Sequence, residues 1–134
     1  MNSPPQTEDL LVHVRALCMK LPEVTENLTH GAPTWFVRGR RSFLKFVDPA
    51  AHNLDETHVA FWAAAAPGVR HELAAADPYT FFTPRFGGSD WVGMRLDLEA
   101  DGPDWEEVRE IVLDAYRCVA PKTLVARLDA DPGL

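Results

Sequence analysis

The sequence predicts an α+β domain, a two-layer α-β-β-β-α-β-β-α arrangement with an antiparallel sheet and helices on one face. Three observations predict it. Apolar residues recur at helical spacing near both ends of the chain and once in the middle. Short β-branched and aromatic runs fill the intervals. Glycine-centred connections join neighbouring runs, and hairpins make their strands antiparallel.

The first helix is predicted over 8–20, where Leu10, Leu11, Val14, Leu17, Cys18 and Leu21 form the stripe. Thr7 is one candidate cap; a start at Pro4, with Ser3 and Gln6 as a capping box, is the other. Pro22 ends the helix, and 21–33 reads as an irregular connection punctuated by Gly31 and Pro33. Strands are predicted over 34–38 and 42–47, joined through Gly39-Arg40 into a hairpin whose tip carries arginines. A polar loop over 48–57 leads to a third strand over 58–64. Pro67 opens a second helix with Val69, Leu73 and Ala76 on one face, ending at Asp77-Pro78. Residues 79–84 suggest a short fourth strand, and 86–90 a glycine-rich turn. The strand signal is clearest over 91–98, where Val92, Met94, Leu96 and Leu98 alternate with Trp91, Gly93, Arg95 and Asp97. Asp104 caps a third long helix, with Glu107 as the box partner and Trp105, Val108, Ile111, Val112, Ala115, Tyr116 and Val119 as its stripe. Pro121 breaks it, and 122–128 adds a last helical turn or two.

The chain of 134 residues has the length of a single domain, 1–134. Its opening residues are polar and proline-rich rather than a leader, and no apolar run nears the roughly 20 residues that span a bilayer, so a cytoplasmic protein without membrane contact is expected. Net charge is −7, but the distribution is uneven. Residues 97–114 hold eight acids against Arg109 alone and supply the whole excess. Residues 34–47 hold Arg38, Arg40, Arg41 and Lys45 with no acid. The chain thus has a basic and an acidic segment, and net acidity does not exclude an anionic partner. Cys18 and Cys118 both fall on helix stripes and read as two reduced, buried thiols rather than a disulfide.

Taken in order, the segments LPEVTE, THGAPTWFVRGRRSFLKF, PGVRHELAAADP, TFFTPRFGGSDWVGMRLD and EEVREIVLDAYRCVAPK span nearly the whole chain. In that order they resemble the MmcQ/YjbR-like proteins, small bacterial domains. The resemblance implies a two-layer fold similar to type III secretion chaperones and the bacterial frataxin-like domain. It also implies DNA binding through a double-wing arrangement of hairpins, and carries no enzymatic activity that transfers residue by residue.

Motifs for chemistry are weak. Ser89 after Gly87-Gly88 does not form the Gly-x-Ser-x-Gly elbow, and neither cysteine has a neighbouring histidine. His52 and His58, with Asp48, Asp55 and Glu56 nearby, lie on a loop entering a strand, a poor base for metal ligands. His13 and His71 are expected to be solvated. Phosphate-cradling glycine motifs are absent. No enzyme activity, cofactor or metal is therefore expected.

Two surfaces remain. The arginine hairpin, Arg38, Arg40 and Arg41 with Lys45, and Arg85 as a second wing, reads either as a solvated turn or as a phosphate-contacting wing for weak, salt-sensitive DNA binding. Strand parity assigns Phe36 with Arg38, Phe43 with Lys45 and Val47, Trp91 with Arg95, and His58 with Trp62 to an aromatic-basic sheet face. That face could stack on bases, form the centre of a homodimer or take a peptide, or be covered by the protein's own loops. His30 reads as a residue that fixes its turn, or as a polar contact at a groove mouth with Trp35 as the floor. The expected function is a non-enzymatic DNA-binding module, monomer or homodimer; the alternative is a chaperone-like protein-interaction module.

Overall fold

A computed structural model describes residues 6–49, 58–85 and 90–131 of the chain. Helix α1 (Thr7–Met19) leads into strands β1 (Val24–Thr29), β2 (Ala32–Val37), β3 (Arg41–Val47) and β4 (Ala60–Ala63). Helix α2 (Val69–Ala76), strands β5 (Phe81–Phe82) and β6 (Val92–Arg95), and helices α3 (Trp105–Val119) and α4 (Lys122–Asp129) follow. The strands form one sheet in the order β1-β2-β3-β4-β6-β5, every neighbouring pair antiparallel. This is the predicted α+β class with one more strand than expected.

The additional strand is β1, within the segment read as irregular. It pairs along its length with β2, from Val24↔Val37 to Thr29↔Ala32. The two-residue turn between them is His30-Gly31, with φ of 50° and 80°, the positive pair that a type I′ hairpin needs. Histidine tolerates the left-handed region better than most side chains. His30 is exposed there, as a turn residue. The polar sequence VTENLT hides the strand because Thr25 and Asn27 are exposed, while Glu26 finds its partners within the fold.

Register fixes the two sheet faces. Trp35, Leu44, Ala63 and Val92 stand in one row, and Phe46, Phe61, Met94 and Phe81 in another, facing the helices. Leu10, Val14 and Cys18 of α1, Val108, Val112, Ala115 and Tyr116 of α3, and Leu124 and Leu128 of α4 complete this core. A bulge opposite Trp35/Phe36 breaks simple alternation in β3. Phe43 and Leu44 are both fully buried as a result, so Phe43 joins the core rather than the opposite face expected from parity. Its ring meets Tyr116 edge-on at 5.7 Å, and the Tyr116 hydroxyl donates to the Pro22 carbonyl at 2.7 Å.

Caps agree in part with expectation. The Asp104 carboxylate accepts from the Glu106 and Glu107 amides, so α3 starts where the sequence places it. Gln6 is the N-cap of α1 without a side-chain bond, and Thr7 is its first residue; the Ser3-Pro4 alternative lies outside the described residues. Cys18 is buried, but Cys118 is exposed, contrary to expectation. It lines, with Ile111, a cleft of about 400 Å³ between α2 and α3.

Candidate nucleic-acid interface

The β2–β3 hairpin turns at Arg38-Gly39, where φ is 54° and 67°, and the Arg40 amide donates to the Val37 carbonyl at 3.0 Å. Glycine supplies the second positive φ without a steric cost. β4 ends at Ala63, opposite Leu44, and the Ala64 amide still donates to the Phe43 carbonyl at 2.9 Å, so the hairpin runs on two residues from Phe43 to Arg41, roughly 7 Å at the rise of a strand. It therefore stands out past the central strands as a wing. Arg38, Arg40 and Arg41 are all exposed on it.

Their surroundings differ. Arg38 holds Glu23 with Nε–Oε1 and Nη2–Oε2 distances of 3.2 and 3.3 Å, and its amide donates to the Glu23 carbonyl at 2.9 Å. Arg38 holds the Glu23 carboxyl below the usual carboxylate range, and Arg127, 3.9 Å away, adds to the effect. Arg40 and Arg41 engage no acid among the described residues. They are the two cations of the tip left for an external anion.

A second arginine lies toward the same end. β5 pairs Phe81↔Met94 and Phe82↔Gly93, so it runs toward the end where β4 stops, and Arg85 follows three residues beyond Phe82. Arg85 is exposed. Strand order separates the two hairpins by three spacings, about 14 Å between centres. Gly87, Gly88 and Ser89 of this connection lie outside the described residues.

Lys45 does not join this end. It sits four positions up β3, opposite Trp62, with Nζ 5.7 Å from the indole centroid. Burial pushes its ammonium pKa down. The row Asn27, Thr34, Lys45, Trp62, Gly93 and Phe82 crosses the sheet on the face away from the helices. On that face Val47, Ala60 and Trp62 form a second small core, with Phe82 and Trp91 packed against it. Trp62 is only 2% exposed. Arg95 lies 4.6 Å above the Phe82 ring and donates to the Tyr79 carbonyl at 2.9 Å. Phe82 can lie over Gly93 because a Cβ there would meet its ring at 2.3 Å. The aromatic centre of the predicted face is thus tucked into the protein's own packing.

Trp35 is corrected outright. It is not a groove floor: it is fully buried under the helices, with its indole N–H donating to Glu26 at 2.9 Å. The same carboxylate accepts two bonds from Arg15 of α1, at 2.7 and 3.0 Å, and these hold its pKa down. His30, at the turn, and Trp35, in the core, share no site. His58 bonds Asp97 through Nδ1 at 2.9 Å, and the second Asp97 oxygen accepts the Val59 amide. His52, Asp55 and Glu56 lie outside the described residues, and no group of three or more potential metal ligands occurs among the described ones. Burial and the nearby Asp114 push the Cys118 thiol pKa up, which leaves it protonated and poorly nucleophilic at neutral pH. His13 is exposed as expected, but its ring stacks on Trp105 at 3.5 Å.

The first acids of the acidic segment lie at the other end. β6 runs from Val92, beside Ala63, to Arg95, beside Ala60, and the acids follow from Asp97 through Asp104 into the start of α3. Burial first, then Asp104, Asp77 and Glu110, push the Glu107 carboxyl above its usual range. Helix α3 carries the remaining acids back toward the arginine end, where Tyr116 meets Pro22 and Asp114 lies by Arg117.

Fold and surface together define a two-layer α+β domain with exposed arginines at one end of its sheet. The chain belongs to the YjbR family, whose model matches residues 19–118. The crystal structure of Deinococcus radiodurans protein DR2400, a DUF419 domain, is similar with a TM-score of 0.63 and 19% identity, over 100% of this chain and 96% of that one. At that identity the likeness is one of fold. Among curated proteins, none matches the chain. No described helix is long and apolar enough to cross a membrane.

Proposed function

We propose that this domain is a non-enzymatic module that binds nucleic-acid phosphates through the arginine end of its sheet. The observation that carries the reading is the exposed arginines at one end of the sheet: Arg40 and Arg41 on the β2–β3 turn, without an acidic partner among the described residues, and Arg85 beyond β5. The spacing of about 14 Å between the two hairpins is comparable to the roughly 12 Å width of a B-DNA major groove, so two wings can address the flanking backbones. Phosphate contacts position a protein without reading sequence, and a few arginines at one sheet end supply charge rather than an element that enters a groove. The binding is accordingly weak and nonspecific.

Four contacts, from Arg38, Arg40, Arg41 and Arg85, correspond to a slope of log K against log salt near about −3.6, or roughly a hundredfold loss between 50 and 200 mM salt. Titration of labelled duplex DNA at 50 mM salt tests the reading. Arg40→Glu with Arg41→Glu should weaken binding at least tenfold; unchanged binding, or none in the parent protein, removes it. The protein-interaction alternative draws less support, because Trp62, the centre of its proposed face, is buried.

A further inference from the structure

Glu23 has an environment unlike that of a surface acid holding one partner. Its carboxylate lies between two guanidiniums, Arg38 at 3.2 and 3.3 Å and Arg127 at 3.9 Å. They come from distant parts of the chain, the β2–β3 turn and α4. The backbone aims them: Glu23 and Arg38 both adopt the left-handed conformation, φ 56° and 54°, and a hydrogen bond ties Arg38 N to Glu23 O at 2.9 Å. Two non-glycine residues in that region, locked to each other, constitute a fixed feature of this end. Lys20, Arg127 and Asp131 line a depression of about 490 Å³ that Glu23 also lines, where α1 and α4 both end.

We infer that Arg38 and Arg127 form a phosphodiester clamp that Glu23 fills in the free protein, so that Glu23 sets how much of the basic end is open to nucleic acid. The inference rests on the phosphate-binding reading and adds a residue, Arg127, that the hairpin alone does not supply. A carboxylate and a phosphate oxygen pair present the same acceptor geometry to a guanidinium. The Glu23 pair is solvent-exposed, and exposed pairs are weak, so a phosphate of the DNA backbone can displace it.

The test is a double-mutant cycle with duplex DNA at 50 mM salt. Glu23→Gln keeps shape and backbone preference while freeing both arginines. It should tighten binding by about three- to fivefold and steepen the salt slope by about one unit, the added contact being that of Arg127. In an Arg38→Ala, Arg127→Ala background the same change should have no effect. A gain of equal size there is general charge removal and overturns the clamp. If neither the parent nor Glu23→Gln binds DNA, the nucleic-acid reading fails by itself, and inorganic phosphate then decides the clamp. Arg38 and Arg127 Nε–H resonances that move with phosphate in Glu23→Gln support an anion site; resonances that stay fixed overturn it.

Discussion

The two ends of the sheet are made of the same strands and carry opposite charge for different structural reasons. At one end arginines are held out on a protruding turn by two positive-φ residues, and Arg40 and Arg41 have no acidic partner among the described residues. At the other, acids crowd the approach to α3; Asp104 serves the helix N-terminus, while Glu107 is left with a raised pKa by burial and its acidic neighbours. One end is built to display charge and the other to use or tolerate it. Net charge alone, at −7, describes neither.

Reversing the arginine tip should produce the largest change. Arg40→Glu with Arg41→Glu is expected to weaken DNA binding at least tenfold by fluorescence anisotropy, with thermal stability nearly unchanged, since both side chains are exposed. Midway between the ends, Gly93→Ala should destabilise the fold by about 1–3 kcal/mol in urea, because its Cβ drives into the Phe82 ring. DNA affinity of the folded protein should stay within about twofold, since the turns do not depend on that contact. An equal loss of binding would tie the basic end to the opposite sheet face.

Glu26→Ala should cost about 1–3 kcal/mol by leaving the buried Trp35 indole N–H without its acceptor. Its sign with pH is defined. The folded carboxyl titrates below its unfolded value, so the Glu26 contribution is present above the unfolded pKa and is lost as pH falls through the folded one. The gap between parent and variant should therefore narrow in acid. Glu107→Gln should act the other way and by less. Its folded pKa is raised, so protonation stabilises the fold and that gain fades as pH rises through the folded value. The variant should melt slightly higher than the parent at pH 7 and equally at pH 3. Glu99→Gln with Asp101→Asn, at the acidic end, should change DNA affinity by less than about twofold, since screening over about 10 Å at 0.1 M salt separates the ends.

Much of this polarity was legible in the chain. The run Arg38-Gly39-Arg40-Arg41 between two apolar strands signals a hairpin with a basic tip, and Asp104 ahead of Trp105 signals a helix start in an acidic stretch. Folding added what periodicity cannot carry. β1 is written in polar residues because its inward acid, Glu26, is satisfied by Arg15 and Trp35, partners 11 and 9 positions away. Inward charge on an edge strand is a device against edge-to-edge pairing, and it erases the alternation by which strands are recognised. The bulge in β3 moved Phe43 to the core, and Trp35 lost its surface role to the same row. Glu23 gave no signal at all, since its two arginines lie 15 and 104 positions away. The signal for β1 in the sequence is the His30-Gly31 pair, two residues that tolerate the positive φ a two-residue hairpin turn requires.

The claim that the arginine end is the nucleic-acid surface is tested most directly by mapping backbone amide shifts of the whole protein during titration with a short duplex at 50 mM salt. The account predicts shifts at Val37 to Ser42 and around Arg85, with residues 97–110 unmoved. Shifts concentrated in residues 97–110, or none anywhere at saturating DNA, would contradict it.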